Sequence, residues 1–362
     1  MSAMSSITTR ALDTLEPLKS PFLATVAAFG MGLVLIVVAG APLGDALSAL
    51  EDGMYGTPYA LGASLNVAAL LALVGAGFVV AARCGLTNVG GEGQINIGAL
   101  AATAVGLHGA ARLPQPLPVL LPLFAAVLAG AAWGAVAGAL KAWRGTNEVI
   151  STLLMNFVAM GLVSVAVHEQ SLLRQPATSA QTLPNSPPLP EVTHLPLLPL
   201  GSGSQGTVGI AIAAGVLVAV AVLVRRSAFG LKLQSVALGR QAASRAGLSP
   251  AALEISALAI AGGAAGLAGG ILLLSTPFIL RDGFSSGYGF QGLVVGLLAR
   301  GSAAGVALAA LLFGFLDAGG ISLEVGVGVP STIVVIVEAI IVITIAGSAG
   351  LRLSRNKLLK VP

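Results

Sequence analysis

Residues Ile255–Leu280 read ISALAIAGGAAGLAGGILLLSTPFIL, twenty-six consecutive positions without a charged side chain. A helix needs about 20 apolar residues to cross the hydrocarbon core of a bilayer, and this stretch exceeds that. It also lacks the polar face that a helix on the surface of a soluble domain would carry. The small residues of Ala261–Gly270 suit close helix packing better than ligand contact. If the rest of the chain follows suit, the bilayer is the solvent in which it folds.

It does follow. Only 9% of the 362 residues are charged, against about 25% in ordinary soluble proteins, while 56% are hydrophobic and 48 are Gly. Further uncharged windows span Ser20–Gly44, Gly53–Ala82, Gly93–Ala111, Leu113–Leu140, Val149–His168 and Val192–Val224. After Leu280 come two short windows, Gly283–Ala299 and Gly301–Leu316, and a last stretch, Val325–Leu351, broken only by Glu338. Charges at mid-bilayer are costly, so these windows mark the spans. The expected fold is all-α: a polytopic membrane protein of about ten transmembrane segments, in two pseudo-symmetric five-span halves. A single transmembrane domain is expected over residues 1–362, with no second soluble domain.

The cations orient it. With the N-terminus inside, fourteen Lys and Arg residues lie on the cytoplasmic side, and only Arg112, Arg174 and Arg281 lie outside. Both termini, residues 1–21 and the basic tail 349–362, are therefore expected in the cytoplasm. The net charge of +4 is read as topology, since 18 scattered basic residues form no patch for nucleic acid. Cys84, the only Cys, and three scattered His provide neither a disulfide nor a metal cluster, so no metal or cofactor is expected.

Two connections are long. Residues 169–206 carry seven Pro and face outside, as a solvated ornament or as a cap; residues 225–250 are basic and face inside. Within the latter, Gly239–Gly247 brackets a short helix-compatible core, and Ser249 and Pro250 suit the N-cap and first turn of the next span.

Polar, Gly-rich backbone at membrane depth is tolerated only against protein or a water-filled cavity. Arg83–Gly98 packs Asn88, Glu92, Gln94 and Asn96 among five Gly, either as a cytoplasmic turn or as a re-entrant segment. Arg83 and Glu92 are expected to be partly buried and to neutralise each other or another polar group. A second irregular stretch, Thr276–Gln291, precedes the two short windows. Interruptions in both halves point to a midplane substrate site in a transporter. The fifth span opens Gly145-Thr-Asn-Glu-Val-Ile-Ser-Thr-Leu-Leu-Met-Asn156, where Glu148, Thr152 and Asn156 recur every four residues along one helix face. Asn147 and Glu148 suit a helix start as well as a functional role. No Lys follows a Gly, so the G-x-x-x-x-G-K-[ST] phosphate loop is absent, and no nucleophile grouping of interpretable spacing occurs.

The run Gly85–Gln94, the run Gly145–Asn156 and the inner-loop pattern ending Ala246-Gly247 resemble those of bacterial ABC-transporter permeases for nucleosides and simple sugars. These belong with the ribose and branched-chain amino acid permeases, and the resemblance spans about Pro58 to Ala346. It implies a non-catalytic transport subunit of the bacterial cytoplasmic (inner) membrane. It also implies partners: a second homologous permease chain, a cytoplasmic ABC ATPase with two nucleotide sites, and an extracytoplasmic substrate-binding lipoprotein. The matching positions are Asn88, Glu92, Gln94, Asn147, Glu148, Ser151, Thr152 and Asn156. Together with Asn96, Phe290 and Gln291, most of these make up the expected substrate pathway. Arg240, Gln241, Ala242, Ala243, Arg245 and Gly247 are the expected ATPase-coupling residues. In that reading bulky residues at Ala242 and Ala243 would block docking, whereas Lys at Arg240 and Arg245 would be tolerated. The rivals are a pentose permease, a proton-coupled carrier using Glu92 or Glu338, and, more distantly, a membrane-embedded enzyme.

Overall fold

The structure, a computed structural model, describes residues 30–176, 183–341 and 343. The expectations for residues 1–21 and 349–362 lie outside the described residues. In chain order the helices are α1 (30–38), α2 (Leu43–Glu51), α3 (Pro58–Arg83), α4 (Gly91–His108), α5 (Leu117–Arg144), α6 (Glu148–His168) and α7 (Gly209–Arg226). They continue with α8 (Ala228–Leu238), α9 (Arg240–Arg245), α10 (Pro250–Ser275), α11 (Tyr288–Leu298), α12 (Ala303–Val327) and α13 (Thr332–Ile341). Among the described residues the only β pairing is two isolated bridges, Asn185 with Arg281 and Leu197 with Thr207.

Every uncharged window contains a helix. Six helices, α3, α5, α6, α7, α10 and α12, are long and apolar enough to cross a membrane. Two differ from expectation. The polar run Gly91–Gly98 is the first half of α4 and not a loop, so the interruption is confined to the residues just before it. The window Gly301–Leu316 undershoots α12, which continues through Asp317 and Glu324 to Val327. A charge marks where a helix meets polar surroundings and does not end it; α12 ends at Gly328, in the left-handed region at φ +73°.

The chain forms two compact units, residues 61–314 and residues 1–60 with 315–362. In the larger one, α10 packs against both α5 and α4 along a seam of glycine. A Cβ at Gly262 would stand 2.2 Å from the carbonyl oxygen of Gly130, and one at Gly266 would stand 2.3 Å from that of Ala126. Further along the same stripe, a Cβ at Gly269 would stand 2.1 Å from the carbonyl oxygen of Ile95 of α4. Backbone touches backbone at these crossings, the geometry that small residues permit where no hydrophobic effect drives helices together. Around the seams, Leu73, Ile95, Ala99, Ala126, Ala268, Ile271 and Leu274 form the buried core. In the smaller unit Ile36, Ala46, Leu323 and Val329 form a separate buried cluster.

The Pro-rich connection packs against the rest of the chain and is not merely a solvated loop. The amides of Ser186, Leu189 and Leu195 donate to the carbonyls of Leu280, Phe278 and Leu274, at 2.9 Å each. His194 stacks on Phe278, with ring centroids 3.7 Å apart. At the far end Asn66 of α3 accepts from Thr207 N and donates to Gln205 O. Segment 183–207 is thus fastened to the chain that leads out of α10.

Gly262→Ala gains about 1 kcal/mol of helix propensity, but overpacking the seam costs about 1–3 kcal/mol, and a contact with backbone cannot be relieved by a rotamer change. Its thermal midpoint in detergent should therefore fall. Gly161→Ala and Gly215→Ala, where a Cβ meets nothing within 4 Å, should hold or raise it.

Candidate functional site

Before α4 the chain runs irregularly from Gly85, at φ +76°, to Gly90. With no helical ladder there, the backbone must find other partners in a region where water is excluded. Side chains singled out in the sequence provide them. Asn156 of α6 accepts from Gly93 N at 2.9 Å and donates to Val89 O at 2.9 Å. Thr152 accepts from Val89 N at 3.2 Å and passes its own proton to Glu148 O at 2.7 Å. Asn88 accepts from Gly90 N and exchanges two hydrogen bonds with the Gln94 amide, at 3.0 and 3.2 Å. The four-residue spacing on α6 thus places Thr152 and Asn156 against the broken segment, and both are 1% exposed.

Glu92, in the first turn of α4 and buried, reaches a different part of the chain. Its carboxylate accepts from Ser285 Oγ at 2.5 Å, Gly287 N at 2.9 Å and Gly289 N at 2.8 Å. Gly287 is the N-cap of α11, so Glu92 supplies the acceptor that the exposed amides and positive end of that helix require. Asn96, one turn on, donates to Ser285 Oγ at 2.8 Å and to Glu92 O at 3.0 Å. Only Gly fits at position 289, where a Cβ would stand 2.1 Å from Glu92 N.

The structure therefore brings Asn88, Glu92, Gln94, Asn96, Thr152 and Asn156 into one buried network whose hydrogen bonds stay within the protein. Ser151 stands apart, bonded to Asn147 O. Phe290 is 41% exposed beside the locked Gly289, and Gln291 is half-buried. Asn147 caps α6 by accepting from Val149 N, and Glu148 pairs with Lys141 at 2.8 Å. Ser285, Gly287 and Gly289 were not singled out, although the alternating Ser and Gly of that stretch were a visible signal. Arg83 and Glu92 do not meet. Arg83 donates instead to the neutral amide of Gln234 of α8 at 2.7 Å, a polar partner that leaves its charge unneutralised.

In the basic connection 225–250, α9 forms between the expected glycines. Leu248 N donates to Ala243 O and Gly247 N to Ser244 O, with Gly247 at φ +81° ending the helix. Ser249 caps α10 by accepting from Ala252 N, and Pro250 opens it, as expected. Gln241, Ala242 and Arg245 are exposed, but Ala243 is buried, so a bulky residue there would disturb the fold before it met a partner. Arg240 is committed too: its Nε and Nη2 donate to the two oxygens of Glu254, at 2.9 and 3.3 Å. Lys cannot reproduce that fork, so Arg240→Lys removes more than a reading from charge alone allows. Burial, reinforced by the charge of Glu254, pushes the Cys84 thiol up to about 12.

Residues 60–347 match the family described as the branched-chain amino acid transport system / permease component. The chain is 32% identical, over 96% of its length and 98% of the relative's, to the guanosine ABC transporter permease protein NupP of Bacillus subtilis. It is also 32% identical to the glucose ABC transporter permease protein TsgB13 of Haloferax volcanii, over 90% of this chain and 86% of the relative. To the nucleoside ABC transporter permease protein NupB of Lactococcus lactis it is 28% identical, over 90% of each. No solved structure matches the chain.

Two outcomes follow from the geometry. Asn156→Ala leaves a buried amide and a buried carbonyl without partners, at about 1–3 kcal/mol each, so its thermal midpoint should fall far below that of Ser151→Ala. Cys84 should resist maleimide at pH 8, where its thiol is still protonated, and should react once the chain is denatured.

Proposed function

The chain belongs to the branched-chain amino acid transport system permease family, and on that premise we propose that it is the permease subunit of an ABC importer that carries nucleosides inward. The full-length similarity to NupP carries this reading, and the similarity to NupB supports it. A second permease chain, a cytoplasmic ATPase and an extracytoplasmic binding protein complete the importer. The subunit lies in the bacterial cytoplasmic membrane with both termini inside, as the cation distribution favours. The exposed face of α9 meets the ATPase.

The buried network frames the pathway and does not line it, because its polar atoms bond one another. A pathway running between two permease chains appears on one of them as exposed surface, and Phe290 offers a ring there, held in place by the Glu92 contact to its neighbour Gly289. A nucleoside base can stack on such a ring. The similarity to TsgB13 favours a second reading in which the cargo is a simple sugar. A self-powered carrier using Glu92 fits poorly, since three donors of the protein already hold that carboxylate.

In proteoliposomes holding the complete complex, uptake of labelled nucleoside should require ATP and be competed by unlabelled nucleosides. Competition by glucose or ribose, with none by adenosine, guanosine or uridine, would replace the nucleoside reading with the sugar one. Phe290→Ala should raise the KM for nucleoside about three- to tenfold, and Phe290→Tyr should leave it nearly unchanged.

A further inference from the structure

Between Glu191 and Asp282 the chain has one acidic residue, Glu254. It lies in the second turn of α10 and is 3% exposed. Its only cationic partner among the described residues is Arg240, the first residue of α9, which grips it with Nε and Nη2 while remaining largely in solvent. Two-point guanidinium pairing fixes orientation as well as distance, which one Lys ammonium cannot do. A buried carboxylate also holds its counter-ion tightly, because separation would leave it uncompensated.

From Glu254, α10 runs on to the glycine seams. At Gly262 and Gly266 it touches the backbone of α5, and at Gly269 that of α4, the helix that carries Glu92. These crossings have no side chains to re-pack, so a shift of α10 is passed on instead of absorbed. We infer that the Arg240–Glu254 pair is a positioning clamp that makes α9 and α10 one rigid piece, so that displacement of α9 reaches α4 and the Glu92 contact with α11. This rests on the reading that α9 meets an ATPase, and it adds a residue pair and a route to it.

Glu254→Leu is the test, since it fills the buried position and leaves Arg240 free in water. In the complete complex, ATP hydrolysis should stay within about twofold of wild type while nucleoside transported per ATP falls about tenfold. Glu254→Gln, which keeps one acceptor, should fall between them and serves alone if the Leu variant does not fold. A wild-type ratio in the variant that folds would overturn the clamp. So would a loss confined to thermal stability, because a purely structural pair has no reason to change the ratio. Amide exchange of residues 240–245 in the isolated permease chain separates this idea from the premise on which it rests. Glu254→Leu should speed that exchange whether or not an ATPase ever docks, and unchanged protection would refute the clamp. Absence of ATP-dependent uptake in wild type would instead refute the premise.

Discussion

The carboxylate of Glu92 is the single contact on which the interior arrangement depends. It joins the start of α4 to the start of α11, nearly two hundred residues later, by answering amides that no helix or sheet could answer. In water such amides would be solvated at little cost. In a bilayer they would forbid the break altogether, so the break and its acceptor have to occur together. The same logic explains Asn156 and Thr152, which serve the broken backbone before α4 from an intact neighbouring helix. A rigid polar lattice is thereby built where a transporter needs irregular chain, and Phe290 is left open at its margin.

Glycine plays the complementary part. Where polar side chains hold the breaks, bare backbone holds the unbroken helices together, and α10 is the member that touches both neighbours this way. Helices interlocked by side chains can exchange rotamers as they slide. Helices seated backbone against backbone tolerate little relative movement, so α4, α5 and α10 behave as one slab. Relative movement is then left to its boundaries, among them the turns flanking α11.

Much of this was legible in the sequence. The apolar windows located the helices because excluding charge from hydrocarbon is a composition effect, readable without any knowledge of partners. The start of α10 at Ser249 and Pro250 was readable for a similar reason, being local. The runs 85–94 and 145–156 stand out in the sequence, but what their side chains touch does not: Asn and Gln look alike whether they face a ligand or a carbonyl, and only the fold shows that Asn156 faces Val89 and Gly93. Long-range pairings left no local trace. Ser285 and Gly289 meet Glu92 across most of the chain, and Glu254 served in the sequence only as the edge of an apolar window. The length of α12 was misjudged because charge was read as a terminator.

The Pro-rich segment 183–207 has a consequence for divergence. Its fastening to α10 and the α10–α11 connection runs mainly through main-chain atoms, and the prolines at 187, 188 and 190 fall between the donating residues Ser186, Leu189 and Leu195. Proline costs nothing where no amide is required, and it holds the intervening turns extended. The shape of this lobe is therefore almost independent of its outward-facing side chains. Leu183, Val192 and Leu197, all exposed, can be exchanged without loosening it, so this surface can diverge while the buried interior stays as it is.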